Sequence, residues 1–455
     1  MSKHYVVIGA GFRGFCDSLQ LLEAGHKVTI IDMAPFFGGI SYSVDIKGFA
    51  VDKGVHMFDS IPQDLADIVT EIMDGQVRTI DFVSVSAFNK KLTDGYSLPD
   101  LASLDDSATK QKIKAELLAL AKQGGSKRTP QTLAELLEDR YGKTAGGIYA
   151  DIFKHVYNIE ADKAQPDAIS KTSLGRLKFL DDPEMVELKS SDPWLDSVLA
   201  ARRKAIGKVD DLVSIYPDSG EAMRGWCDRA AKWLQAKGAT VLLGQPIKAL
   251  ENSAKGITVV TQDHRIEADK VIWTNDNTKA LAPLLGFDFD AGTHISGTPM
   301  IFATMITKKE HIKDFTYLQN FDPDGVTYRT ASAGIYSGQT REDGASFITC
   351  ECPANTESDA WKNAPDMFGP IWEECKALNI VAQEAELLDH HILRAPVTFK
   401  VAKLGYDEKI AEFQAEVQKR NPRLIFRDVK PFFRREIWLD SFKLPELVAT
   451  GRVAA

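Results

Sequence analysis

No stretch of this sequence approaches the roughly 20 consecutive apolar residues that a membrane-spanning helix needs, so no transmembrane segment is expected. Basic residues are not in excess: 55 Lys and Arg against 64 Asp and Glu leave a net charge of −9. That balance argues against nucleic acid or an anionic membrane surface as the main partner. Cysteines are few, odd in number and scattered, at Cys16, Cys227, Cys350, Cys352 and Cys375, which speaks against a disulfide framework. Cys350 and Cys352 lie two apart in a strand-like run, Ser346 to Cys352, so both face one way as packed sheet residues do. The nine histidines form no H-x-x-x-H or Cys/His cluster, and His390 and His391 would point to opposite faces of a strand; no structural metal is expected. Internal repeats and low-complexity segments are also missing. The first strand begins almost at once, which leaves no room for a signal peptide and points to a cytoplasmic protein. What remains is a chain of 455 residues, 44% hydrophobic and 26% charged, long enough for about two domains of an ordinary globular protein.

The most informative stretch is YVVIGAGFRG, Tyr5 to Gly14. Tyr5 to Ile8 is a short, β-branched-rich apolar run of the kind found in buried parallel strands. Gly9, Gly11 and Gly14 follow in G-x-G-x-x-G spacing. The first permits a tight turn, the second lets the backbone approach a pyrophosphate, and the third allows close helix-on-strand packing. Phe15 to Ala24 has apolar residues at helical spacing, and Gly25 ends it, so a helix presents its positive end to the phosphates. Val28 to Ile31 predicts a second strand, closed by Asp32, whose carboxylate suits a ribose 2′-OH and disfavours a 2′-phosphate. Strand, glycines, helix, strand and terminal acid in this order predict a site for an ADP-containing dinucleotide.

The downstream residues choose between nicotinamide and flavin. FFGGISYS, Phe36 to Ser43, and GFAVDKGVHMF, Gly48 to Phe58, follow the ribose acid closely. A nicotinamide site has no need of glycine pairs here. An extended flavin dinucleotide needs a second glycine-rich segment passing beneath its pyrophosphate and ring.

These motifs together, GAGFRG, then GG-x-x-Y-S, then D-x-G-x-H-x-F, resemble those of the flavin-containing amine oxidase superfamily, in particular its protoporphyrinogen-oxidase-like and UDP-galactopyranose-mutase-like branches. The resemblance continues through TLAELLEDRYG (Thr132 to Gly142), FKHVYNIEADKAQPDAIS, the return segment Tyr216 to Leu250, and IEADKVIWTND (Ile266 to Asp276). It implies a Rossmann-like α/β fold holding non-covalent FAD, because no lysine or cysteine sits where covalent attachment is suggested. The cofactor residues it implies are Gly9, Ala10, Gly11, Phe12, Arg13, Gly14, Asp32, Met33, Gly38, Gly39, Ile40, Ser41, Val55, His56, Ile247, Thr274, Asn275 and Arg452. Many amine oxidases carry an arginine directly after the glycine pair, where this chain has Ile40; that departure moves it toward the mutase-like branch. The superfamily commonly adds a flavin-capping helix after a C-terminal strand, expected here as Glu446 to Thr450 and followed by GRVAA, so the cap is expected to be missing or abbreviated.

The leading functional expectation is an FAD-dependent oxidoreductase acting on a small molecule, with His56 beside the flavin ring as a hydrogen-bonding or proton-moving group. The alternative is a redox-neutral flavoenzyme acting on a nucleotide sugar, in which paired arginines clamp a diphosphate; a flavin-holding protein without turnover is a further alternative. Arg329 and Arg394 come from separate strand-like runs without neighbouring opposite charges in sequence, and they are the expected clamp for an anionic substrate, with Tyr317, Tyr328 and Tyr336 as hydroxyl partners. Arg434 and Arg435, beside Phe432, Phe433 and Trp438, read either as a cation–π cluster near the cofactor or as packing. A homo-oligomer is left open.

For architecture, residues 1–90, 207–292 and 425–455 are expected to form the FAD-binding domain, with a substrate domain made from 91–206 and 293–424. Helices are expected over Ala108 to Lys122, over Pro130 to Tyr141 with Thr129 as N-cap and Gly142 beyond the end, over Ile148 to Val156 and over Trp194 to Ile206. A further helix is expected to be capped by Ser219 and ended by Gly238. Thr240 to Leu243, Ile257 to Val260 and Ile266 to Thr274 read as strands, and Met300 to Ile306 and Phe315 to Leu318 as parts of an antiparallel sheet.

Overall fold

A computed structural model of the chain describes residues 2–201, 212–253, 256–275, 277–427 and 433–450. Its centre is a five-stranded parallel sheet in the order Thr240–Leu242, Lys27–Ile31, His4–Ile8, Lys270–Trp273, Leu424–Phe426. Strand alternation decides what covers each face. Tyr5 and Val7 point into one core with Phe15, Leu19 and Trp226. Val6 and Ile8 point into another with Leu281, Phe413 and Val417. Both faces are thus buried, as a parallel sheet requires. Helices Phe12–Glu23 and Met223–Ala236 supply the first cover, and helix Tyr406–Arg420 contributes to the second.

Beyond it stands a seven-stranded sheet in the order Asp389–Ala402, Ile295–Lys308, Ala345–Pro353, Arg329–Ala331, Tyr317–Asn320, Ser84–Phe88, Lys91–Asp94. Ser84–Phe88 falls in the stretch expected to join the cofactor domain, yet it pairs in parallel with Tyr317–Asn320 of this sheet. One face, carrying Ile301, Ala303, Cys350 and Cys352, packs against Ile371 and Trp372 of helix Phe368–Ala377. Cys350 and Cys352 share a face as expected. The Cys350 sulfur lies 3.8 Å from that of Cys375, and all three thiols are free.

Several elements differ from their sequence readings. The run Ile266 to Thr274 is two strands: Arg265–Ala268 completes a small antiparallel sheet, and Lys270–Trp273 enters the parallel one. Asp269 makes the break, its carboxylate accepting from the His4 amide at 2.7 Å. Thr132, not Thr129, caps helix Leu133–Tyr157. Its hydroxyl accepts from the Glu135 amide, and the Glu135 carboxylate accepts from the Gln131 amide (3.1 and 2.6 Å). Gly142, at φ 80° and ψ 170°, is non-helical and separates two helical stretches within this span, so the first stretch ends at Tyr141 as expected. Trp194 lies in a short helix, Pro193–Val198, that stops well before Ile206, with residues 202–206 outside the described set. Ala222, not Ser219, precedes helix Met223–Ala236. Glu446 to Thr450 is helical, within Leu444–Thr450, rather than a strand. Leu444, Leu447 and Val448 sit at helical spacing and bury one stripe in the core around the first helix. Among the described residues no helix is long and apolar enough to cross a membrane, and no group of three or more His, Cys, Asp or Glu could hold a metal ion.

Candidate functional site

The glycine loop behaves as three different physical devices. Gly9 has φ 112°, a conformation closed to most side chains, and a Cβ there would lie 2.3 Å from the Thr274 hydroxyl. Gly14 lets the first helix touch the loop: a Cβ on it would sit 1.9 Å from the Gly9 carbonyl oxygen. Gly11, the N-cap of helix Phe12–Glu23, differs from both, because a Cβ there meets nothing within 4 Å. Its lack of a side chain serves no internal contact. The open space lies where the helix presents its free amides, the setting that binds phosphate.

The second glycine pair is laid onto the first loop. Gly38 donates to the Ala10 carbonyl at 2.8 Å and bridges Gly11, while a Cβ on Gly39 would approach the Gly11 Cα to 3.3 Å. Gly38 at φ 108° also rests on Cys227, whose sulfur would be 2.1 Å from an added Cβ. Ile40 beyond the pair is 76% exposed, and Met33, next to Asp32, is 74% exposed. Both are large apolar side chains left open to solvent. Asp32 accepts from the Ala10 and Ala34 amides at 2.7 and 2.8 Å, so it pins the glycine loop. The segment carrying Ile247 is tied to the same spot, with Gln245 donating to the Asp32 carbonyl and Gly244 to that of Ala34. Thr274 donates its hydroxyl to the Ile8 carbonyl at 2.9 Å. Asn275 is exposed and turns back to accept from the Asn277 amide. Arg13 differs in role: its guanidinium is buried against Asp440 at 2.5 Å, so it braces the first helix. Arg452 lies outside the described residues.

The D-K-G-V-H loop carries a buried aspartate and a half-buried histidine. Asp52 accepts from the Ser43 and Tyr216 hydroxyls at 2.5 and 2.7 Å, tying the loop to the glycine segment and to strand Leu212–Pro217. Burial pushes its pKa up to about 6, outweighing the hydrogen bonds from Ser43 and Tyr216 and the charge of Arg434, which act the other way. A raised carboxyl pKa means that the folded state holds the proton more tightly than the unfolded chain. Stability is therefore lost as pH rises from about 4 through 6, by on the order of 3 kcal/mol. Asp52→Asn is expected to erase that loss, so the difference in urea-unfolding free energy should move in favour of the variant by about this amount between pH 4 and 7. An unchanged difference would mean that Asp52 titrates normally. His56 shifts the opposite way: burial, with Arg434 and Arg329 near, lowers its pKa to about 3. That penalty appears as pH falls, and it cancels between the two proteins. The neutral ring donates from Nε2 to the Lys53 carbonyl at 3.2 Å, which leaves Nδ1 as an acceptor beside Val55.

The expected arginine clamp is not formed. Arg329 makes a bidentate pair with Glu351, Nε and Nη2 donating at 2.8 Å each. The register places Glu351 opposite Phe302, and Phe302 opposite Leu393. These residues share the sheet face toward the cofactor loops, where a Cβ on Gly54 would lie 3.3 Å from Glu351. Arg394 is one residue out of step with Leu393 and so points from the other face, stacked over Trp361 at 5.5 Å. Opposite faces and three strand spacings, roughly 14 Å, separate the two arginines. Sequence inspection also missed Glu351, because a partner 22 residues away leaves no local signal. Around Arg329 stand Phe399, its centroid 5.6 Å from the guanidinium carbon, and Tyr328, whose hydroxyl accepts from Gln319 at 2.8 Å. Tyr317 is partly buried toward the same face, and Tyr336 packs edge-on against Tyr216. Arg434, from helix Arg434–Ser441, does reach the cofactor loops. It stacks over Phe12 and Phe58, rather than Phe433 or Trp438, and donates to the Met57 carbonyl and the Ser41 hydroxyl, both at 2.9 Å.

Comparison with known proteins agrees with this geometry. The model of the flavin containing amine oxidoreductase family matches residues 18–285, more than half of the chain. The phytoene dehydrogenase of Streptomyces griseus is 24% identical over 287 residues, a match covering 60% of this chain and 54% of that protein. Among solved structures, a reduced UDP-galactopyranose mutase superposes with a TM-score of 0.77 at 15% identity, over 100% of this chain and 95% of the other. A provisionally named protoporphyrinogen oxidase from Exiguobacterium sp. 255-15 gives 0.67 at 15% identity, over 99% and 100%. These two likenesses are of fold. With its two glycine segments stacked on one another and its parallel sheet built from separated pieces, the chain belongs to the flavin-containing amine oxidoreductase family.

Proposed function

We propose that this protein is an FAD-dependent oxidoreductase that takes a hydride from a small organic substrate. The observation that carries the reading is the space at Gly11: a glycine with no internal contact to protect, at a helix N-terminus, under a second glycine pair that reaches over it. An ADP moiety extended from Asp32 across that point fits FAD and not FMN. Retention is non-covalent on this reading. The cysteines nearest the loops, Cys16 and Cys227, are buried thiols whose pKa values burial drives upward, Cys227 to about 12, so neither offers a thiolate. Bound flavin would supply the two-electron redox chemistry. The protein's own part is to orient and to exclude water. His56, held neutral, offers Nδ1 as an acceptor, and the sheet face carrying Phe302, Leu393 and Arg329 walls the other side.

The substrate site on this reading is aromatic and nearly charge-neutral. Glu351 cancels the Arg329 charge and leaves one edge of the guanidinium, Nη1, for a polar or anionic group of the substrate. A diphosphate asks for two cationic partners, and Arg394 on the far sheet face cannot be the second. The oxidoreductase reading is therefore preferred to the nucleotide-sugar mutase. The test is to purify the protein, release any yellow chromophore by heat and identify it by chromatography. The holoprotein is then titrated anaerobically with amines, polyenes and nucleotide sugars. FAD that bleaches with a substrate is the expected outcome. FMN alone, NAD alone, or turnover of a nucleotide sugar that requires prior reduction and consumes no oxidant would each overturn it.

A further inference from the structure

Three arginines surround the first helix, Arg13 and Arg427 buried and Arg434 half-buried, and the two buried ones are neutralised. Arg13 pairs with Asp440, and Arg427 pairs with both Asp17 and Asp440, at 3.0 and 2.8 Å. Arg434 has no carboxylate within ion-pair reach among the described residues. Its two hydrogen bonds go to neutral acceptors, the Met57 carbonyl and the Ser41 hydroxyl. Its Nε is shut off from solvent and has no acceptor among the described residues. The nearest buried carboxylate, Asp52, is already engaged by Ser43 and Tyr216. The rings of Phe12 and Phe58 hold the guanidinium in place but supply no counter-charge. Asp52 and Asp59 act on it only through space, and a half-buried cation without an ion pair is costly, so such groups persist where an anion completes them.

The position says which anion. Ser41 is the second residue after the Gly38–Gly39 pair, and that pair lies directly on Gly11, where the backbone is open and the helix amides point outward. Phe12, the first residue of that helix, is one of the two rings beneath the guanidinium. The residue next to the pair on the same side, Ile40, carries no charge.

We propose that Arg434, delivered from the C-terminal helix, neutralises the pyrophosphate of the bound dinucleotide. The proposal rests on the FAD reading above and adds a residue that neither glycine motif contains. It couples cofactor binding to the seating of helix Arg434–Ser441: the anion completes the partners of the guanidinium, and the anion lacks a charged partner without the helix.

The experiment uses the full chain as Arg434→Met, which keeps the stem and removes the charge, and as Arg434→Lys, which keeps the charge. Flavin is removed from each protein, the thermal midpoint of the apoprotein is recorded, and FAD is titrated back by flavin fluorescence. The expected result for Arg434→Met is FAD binding weaker by about tenfold or more, with an apoprotein midpoint equal to or above that of the unaltered chain. Arg434→Lys should recover most of the affinity. FAD affinity within about twofold of the unaltered chain would overturn the proposal. So would an apoprotein midpoint that falls in both variants, which would make Arg434 a packing residue. If the unaltered chain itself binds no FAD, it is the cofactor reading that fails, and the titration distinguishes the two.

Discussion

Gly11→Val should fold as the unaltered chain does and lose its flavin. The backbone at Gly11 is extended, at φ −78° and ψ −175°, a conformation that valine adopts readily. A Cβ there touches no protein atom within 4 Å, so the β-carbon itself introduces no clash in the apoprotein. The side chain would fill the space over the free amides of the first helix, where the phosphates must come within hydrogen-bond distance of the backbone. Affinity for FAD should fall by roughly 100-fold or more, equivalent to about 2.7 kcal/mol. Gly14→Ala makes the contrast, since its Cβ would enter the Gly9 carbonyl oxygen at 1.9 Å, and the helix must then move off the strand. That variant is expected to lose stability itself. Paired measurements, circular dichroism with thermal unfolding of the apoprotein and fluorescence titration with FAD, separate the two cases. Normal FAD stoichiometry in Gly11→Val would show that the phosphates lie elsewhere.

Glu351→Leu is the second substitution with a large expected effect, and it acts on folding. Glu351 and Arg329 are both largely buried, their side chains 4% and 21% exposed, and they meet through two parallel hydrogen bonds. Removing the carboxylate leaves a guanidinium between Phe399 and the sheet with no counter-ion, at a cost of about 3–5 kcal/mol. Arg329→Met strands the carboxylate in the same way, so a loss of turnover in that single variant cannot be assigned to substrate binding. The double variant Arg329→Met/Glu351→Leu should regain most of the lost stability, because a pair replaced by apolar groups of similar volume leaves nothing uncompensated. Urea unfolding of all four proteins checks this. Strictly additive losses in the double variant would show that the two side chains are not coupled. If the double variant is stable and still binds FAD but its KM for the substrate rises, Arg329 has a role toward substrate beyond its pairing.

The cofactor half of the site was legible because its physics is local. A positive φ at Gly9, a close helix contact at Gly14 and bare backbone at Gly11 are each met by glycine within six consecutive residues, and their spacing is readable without a fold. Asp32 could be found because a strand end follows from an apolar run. The second glycine pair was readable for the same reason, and its stacking on the first loop is the consequence. Helix-terminal details were harder to read where two local signals competed: Thr129-Pro130 and Thr132 with Glu135 both mark a start, and the bonds of the Thr132 hydroxyl to the Glu135 amide and of the Glu135 carboxylate to the Gln131 amide prevailed. The ELVAT run has strand composition, but its buried stripe follows helical spacing, and packing against the first helix decided it.

The substrate half depended on pairing between distant segments. Whether Arg329 and Arg394 converge turns on strand order and on a register counted to a single residue, and one step puts a side chain through the sheet. Glu351 becomes the partner of Arg329 only because antiparallel pairing brings Ala345–Pro353 beside Arg329–Ala331. Arg434 reaches Ser41 across 393 residues of chain. By itself, then, the sequence determined which backbone turns can hold a dinucleotide, since those turns are set by the conformational freedom of single glycines and the periodicity of short runs. Only the tertiary structure decided which charges meet, because a buried charge is stable or costly according to neighbours that sequence distance does not reveal.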